Sequence, residues 1–204
     1  MPSARDALLA AARWVVVAGD WERMPLAELA ARAGVSRQTL YKEFGSKDGL
    51  AQALSARETE IYLSELATVL EAFPDDPVAG TRAAVAHTLR TGADDPLLKA
   101  ILSSARGPSE LLPLLTTRAE PLLESSRKLL TAYLTSHWPH LSTRDVALVA
   151  DAAIRLTVSH LVLPLAPIER TAEDIATLVA RALPPEFSSD HTAINPLGRV
   201  HDHA

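Results

Sequence analysis

Apolar positions along this chain recur in a helical rhythm. Leu8, Ala11, Ala12 and Val15 follow one another at spacings of three and four, as do Leu26, Leu29 and Ala30. Leu40 and Phe44 lie four apart, and Leu50, Leu54, Ile61, Leu66 and Leu70 keep near-helical spacing. No long stretch alternates apolar and polar residues as a half-buried strand would. Turn and capping residues then divide the chain. Ser3 can cap a first helix over 3–18 that Gly19 stops, and Pro25 opens a second at a position where its missing N–H costs nothing. Ser36 can cap a third helix that runs to Phe44, and Asp48 to about Leu70 forms a long fourth, ended by Pro74-Asp75-Asp76-Pro77. Further helices are predicted over 77–91 (broken by Gly92 and Asp94-Asp95-Pro96), 96–105 (broken by Gly107-Pro108) and 109–137, with Pro113 or Pro121 as a possible kink. Two more follow, over 143–163, capped by Ser142 or Thr143, and over 171–183, capped by Thr171. The fold class is all-α, with about nine helices.

Composition narrows the function classes. Of 204 residues, 48% are hydrophobic and only 4% aromatic, which suits Ala- and Leu-rich helices. The absence of cysteine excludes a disulfide framework, a thiolate metal site and a cysteine nucleophile. No basic, then apolar, leader opens the chain and no apolar run reaches membrane-span length, so a cytoplasmic protein is expected. The net charge of −5 is uneven: residues 1–50 sum to +1 and residues 51–204 to −6. A near-neutral head on an acidic body permits contact with DNA through one end only.

The stretch 25–50, PLAELAARAGVSRQTLYKEFGSKDGL, carries the most specific signal. Gly34 stands where a left-handed residue closes a tight turn between two short helices. With Leu40 and Phe44 inward, Arg37, Gln38, Thr39, Tyr41 and Lys42 point outward as a row of donors, a methyl and a ring. Arg37 can make a bidentate contact to guanine, Gln38 to adenine, and Thr39 can meet a thymine methyl or a phosphate. The string AARAGVSRQTLYKEFGSKDGL resembles the helix-turn-helix signature of the TetR family of bacterial transcriptional regulators, over roughly residues 5–55.

That resemblance implies a DNA-reading domain over 1–50, an effector-binding and dimerisation domain over 51–184 and a flexible tail over 185–204. It implies DNA contacts at Ser36, Arg37, Gln38, Thr39, Tyr41, Lys42 and Lys47, with Tyr41 and Lys47 on phosphates and Arg5 as a further phosphate contact. Two positions depart from the family pattern. Met24-Pro25 lacks the hydroxyl that often reaches a phosphate, and Glu43 replaces a frequent His; it is expected to point away, to accept from a cytosine amino group or, as the favoured reading, to pair with Lys42 or Arg37. Trp14 and Trp21 are read as packing residues. The apolar faces of 143–163 and 171–183 (Leu148, Val158, Val162, Leu178 and Leu183 among them) imply a homodimer on a palindromic operator.

The resemblance also implies an effector cavity among the middle helices. Its expected lining is mostly apolar: Leu66, Val69, Leu70, Leu89, Leu98, Ile101, Leu102, Leu115, Leu122, Leu123, Leu130, Tyr133 and Leu134. The polar anchors expected are His87, Arg106, Arg155, Ser159 and His160, which fits a hydrophobic small-molecule effector. The variant YKEFGSKDGL resembles regulators found near alkane- and fatty-acid-metabolism genes. The expected function is therefore ligand-responsive DNA binding, as a repressor that a hydrophobic effector releases. No Gly-rich phosphate loop, nucleophile elbow or helical His pair supports an enzyme, and neither a cofactor nor a metal is expected. Ser136-His137 with His140 is the nearest catalytic-looking cluster and lacks an acidic orienter. The alternative is a helical scaffold that binds no DNA.

Overall fold

The computed structural model describes residues 3–99 and 120–182. Eight helices have defined bounds there: α1 (Ala4–Val17), α2 (Leu26–Arg32), α3 (Arg37–Phe44), α4 (Lys47–Glu71), α5 (Pro77–Asp94), α6 (Glu120–His137), α7 (Thr143–Val162) and α8 (Ile168–Ala182). Residues 96–99 open one more, and no strand occurs among the described residues. The all-α expectation holds.

Local chemistry accounts for most of the helix ends. Ser3 caps α1 by accepting from the Asp6 N–H at 3.1 Å, while Asp6 accepts from the Ser3 N–H at 3.3 Å, a reciprocal capping box. The Ser3 hydroxyl, donating to Asp6 Oδ2 at 2.7 Å, and then the Ser3 N–H hold the Asp6 carboxyl below its usual range. Asp76 caps α5 through the Ala79 N–H at 2.8 Å, and Pro77 takes the first helical position. Between α2 and α3, Gly34 adopts φ +71, which a residue with a Cβ would occupy only under strain.

Two apolar cores result. In the N-terminal head, α1, α2, α3 and the start of α4 enclose Leu8, Val15, Leu29, Leu40 and Leu50, each at most 1% exposed. Trp21 is buried with them, whereas Trp14 is 47% exposed, with the Arg32 guanidinium 3.2 Å from its ring centroid. In the body, α5 packs on α4 and α8, and α6 on α7, around Leu70, Leu134, Val146 and Val179. Arg82–Glu173 and Arg90–Glu169, at 3.0 and 2.9 Å, edge the α5–α8 contact. Because α4 supplies Leu50, Ala51 and Leu54 to the head and Leu66 and Leu70 to the body, one helix ties the two cores together.

Three expectations need correction. The last helix begins at Ile168, not Thr171, because Pro167 lies just ahead of it and its carbonyl accepts the Thr171 N–H at 3.0 Å; Thr171 is buried inside the helix. Helix α5 runs through Gly92 to Asp94, where the missing Cβ permits close approach, since a Cβ there would overlap the Leu161 side chain. Ser142 takes the N-cap position of α7, yet its side chain makes no capping bond. The end of the helix expected over 96–105, the break at Gly107-Pro108, the start of 109–137, Leu183 and the tail lie outside the described residues.

Gly80 sits under the Tyr133 ring, and a Cβ there would overlap the phenol, whose hydroxyl donates to the Phe73 carbonyl at 2.8 Å. Gly80→Ala is therefore expected to destabilise the fold by about 1–3 kcal/mol, against the usual helical preference for alanine. Denaturant melts of the two proteins check it, and an unchanged or higher midpoint would show that Tyr133 moves freely.

Candidate nucleic-acid interface and ligand cavity

The exposed face of α3 follows from its buried one. Leu40 is wholly buried in the head core, with Phe44 partly buried beside it, so the helix has a single orientation. Ser36 caps it through the Thr39 N–H at 3.0 Å, and its hydroxyl lies 2.8 Å from Thr39 Oγ1. Arg37, Gln38, Tyr41 and Lys42 are exposed, and Thr39 is half-buried. Arg37 Nη2 donates to the Tyr41 hydroxyl at 3.3 Å, with the guanidinium 5.2 Å from the ring centroid. One turn of helix thus presents a stacked Arg–Tyr pair.

Lys47 opens α4 beside this face. Its Nζ donates to the Glu22 carbonyl at 3.2 Å and lies 5.4 Å from the Trp21 ring centroid, which holds the cation near the α4 N-terminus. Arg5 stacks over Phe44 at 4.8 Å on the same head. Glu43 is exposed and forms no ion pair among the described residues, so the pairing with Lys42 or Arg37 expected of it does not occur; Arg37 is turned to Tyr41 instead.

A cavity of about 310 Å³ runs between α4 and α5 and is bordered by residues of α6 and α7. Its wall is largely Leu, Ile, Val and Ala, and it includes Val16, Ala51, Leu54 and Leu97 of the head core. Near its middle, Thr88 Oγ1 donates to the Ala84 carbonyl at 2.8 Å, so the Tyr62 hydroxyl is the donor in the 2.9 Å Tyr62–Thr88 bond. At the head end lie Ser55, Glu58, Thr59, Thr91 and Asp95. Arg13 of α1 reaches two of these, Glu58 at 3.4 Å and Asp95 at 3.0 Å, while Asp95 also accepts the N–H groups of Leu97 and Leu98.

Of the cavity residues expected from sequence, Leu66, Leu70, Leu98, Leu122, Leu123 and Leu130 line the wall together. Ile101, Leu102, Arg106 and Leu115 lie outside the described residues. The others lie elsewhere. Tyr133 turns to the Phe73 carbonyl, Arg155 is exposed and bonded to Asp151 at 2.7 Å, and Ser159 is exposed. His87 stacks near Tyr62, with its Nε2 3.4 Å from Glu65, and Leu134 is packed in the body core. Sequence reasoning missed Tyr62, Thr88, Glu58, Asp95 and Arg13. One signal was available: Thr81, Thr88 and Thr91 fall on one face of α5, with Asp95 just past its end, a polar stripe where a plain core helix carries leucine.

A head with one buried and one exposed recognition-helix face, joined to a cavity-bearing body, is the architecture of a ligand-linked helix-turn-helix regulator. Residues 8–54 match the family described as "Bacterial regulatory proteins, tetR family", and residues 76–181 match "Bacterial Tetracyclin repressor, C-terminal domain". The chain is 31% identical over 195 residues to the HTH-type transcriptional regulator AlkX of Mycobacterium tuberculosis, covering 94% of this chain and 88% of that protein. The chain belongs to the TetR family of transcriptional regulators. Among solved structures it is similar to the TetR family repressor AlkX from Dietzia sp. strain DQ12-45-1b, implicated in biodegradation of n-alkanes. There the TM-score is 0.68 at 28% identity over 89% of this chain and 95% of the other. The fatty acid degradation regulator FadR from Bacillus halodurans shares the fold at 15% identity, with TM-score 0.58 over 88% of this chain and 95% of that one. These comparisons give the helical-scaffold alternative no support.

Burial pushes the Tyr62 phenol above the ordinary tyrosine range, opposed in part by its bond to Thr88. The folded state therefore holds that proton more tightly than the unfolded chain. Stability is complete below the ordinary range and falls as pH rises through it toward the raised value. Between about pH 8 and about pH 11, the denaturation midpoint should fall less in Tyr62→Phe than in the native chain. Parallel curves for the two proteins would contradict the burial of that hydroxyl.

Proposed function

We propose that this TetR-family regulator is a repressor that reads a palindromic operator through α3 and releases it when a hydrophobic small molecule enters the α4–α5 cavity. The observation that carries the DNA half is the exposed row Arg37, Gln38, Tyr41 and Lys42, on a helix locked by wholly buried Leu40. In this reading Arg37 and Gln38 meet base edges, and Thr39 a methyl or phosphate. Tyr41, Lys42 and Lys47 meet the backbone, and Ser36 holds the helix start against it. The reading head is taken as residues 1–50, and the effector-binding and dimerisation region as 51–184.

The effector half rests on the cavity's apolar wall and on its extent along α4, the helix that also builds the head core. The relatives named AlkX, one of them implicated in biodegradation of n-alkanes, support an aliphatic effector. Homodimerisation is supported by exposed Leu148, Leu156, Val162, Leu163 and Leu178 on or beside α7 and α8, surface too apolar to suit water. Two-fold pairing sets two α3 helices on successive turns of one DNA face. Among the described residues no helix is long and apolar enough to cross a membrane, and the protein is taken to act in the cytoplasm.

Fluorescence anisotropy on the DNA upstream of the protein's own gene tests the assignment. Arg37→Ala or Gln38→Ala should each weaken binding by about 1–3 kcal/mol and relax preference at one base pair per half-site. Lys47→Ala should weaken all sequences alike and reduce the salt slope by about one unit per head. Unchanged binding in all three variants would remove α3 as the reader.

A further inference from the structure

We infer that Tyr41 is a positioning residue for base readout: its phenol takes an Arg37 N–H and gives its own proton to a DNA phosphate, so the backbone contact aims the arginine fork at a guanine. The inference rests on the proposed reading of DNA through α3 and adds what orients one of its base contacts.

The pair follows from helix geometry. Arg37 and Tyr41 stand four apart on the exposed face of α3. Side chains on a helix lean toward its N-terminus, which brings Tyr41 back over the turn that carries Arg37. Arg37 Nη2 donates to the Tyr41 hydroxyl at 3.3 Å, and the guanidinium, 5.2 Å from the ring centroid, lies nearer the hydroxyl than the ring centre. The frame beneath is fixed: Leu40 is wholly buried, and Ser36 caps the turn through the Thr39 N–H at 3.0 Å. Glu43, on the same helix, makes no ion pair with Arg37, so no carboxylate of α3 draws the fork aside. Gln38 and Lys42 have no hydrogen-bond or ion-pair partner among the described residues, so in this outward row Arg37 is the cation whose direction is set before DNA arrives.

The count of donors decides what is left for DNA. A phenol has one proton and two acceptor sites. The Arg37 N–H fills an acceptor site, which leaves the proton to point outward from a side chain 40% exposed. A phosphate oxygen offers no proton and accepts one, so it matches that group. The guanidinium has five N–H bonds and spends one on the phenol, and the four that remain still supply a fork for guanine O6 and N7. A phosphate bonded to the phenol proton polarises the oxygen and strengthens its hold on Arg37. An arginine held in this way loses less rotamer freedom on meeting a base than one that turns freely. A tyrosine that only gripped the backbone would weaken every sequence alike; one that aims Arg37 acts most at the arginine's own base pair.

The test is competition by fluorescence anisotropy with the full chain, using the DNA upstream of its own gene and duplexes with each single base-pair change across its inverted repeat. Arg37→Ala first marks the base pair whose preference depends on the arginine. Tyr41→Phe keeps the ring and removes the hydroxyl. It should lower preference at that same base pair by about threefold to tenfold and leave the other positions within about twofold of native. In an Arg37→Ala background the same change should move no base preference and leave only a uniform loss. If Tyr41→Phe keeps the native preference at the marked base pair, or weakens all duplexes equally, the inference is overturned while the α3 reading stands. If Arg37→Ala marks no base pair, the α3 reading fails and this inference with it.

Discussion

Helix α4 is the constraint on which the rest of the molecule depends. Its first turns bury Leu50, Ala51 and Leu54 in the head core, and its later turns bury Leu66 and Leu70 in the body core. Neither core can be filled without it, and a single helix cannot rotate one end without the other. The position of the recognition helix is therefore referred to the body through a rigid rod of 25 residues. The cavity lies along the same rod, so a ligand there acts on an element already committed to both cores.

A second tie runs parallel to the first. Arg13 projects from α1 to Glu58 on α4 and to Asp95 just past α5, joining three helices by charge-assisted bonds at the rim of the cavity. With one partner on each of two body segments, small movement of α4 against α5 changes both bonds together. Leu97, next to Asp95, sits in the head core and also lines the cavity. Apolar packing fixes the resting geometry, and the Arg13 ion pairs at its edge tie three helices to it.

The head was the more legible half. Leu40 with Phe44, the Gly34 turn and the Ser36 cap are local features, and local features leave a local sequence pattern. The cavity was legible only in its leucines. Its polar residues are brought together by pairing across α4 and α5, so Tyr62 meets Thr88, and Arg13 meets Asp95 82 positions away, with nothing in either segment alone to announce it. Gly92 misled for a related reason. A glycine that ends a helix and one that admits a neighbouring Leu161 read alike along the chain and differ only in three dimensions. Thr171 likewise matched a cap by type, while Pro167 had already supplied the place for the helix to begin.

Hydroxyl-radical footprinting of the full chain on the DNA upstream of its own gene tests the central claim most directly. The account predicts two protected patches about one helical turn apart on one face of an inverted repeat, both lost in Arg37→Ala at moderate salt. A single patch, or protection that survives loss of Arg37, would contradict it.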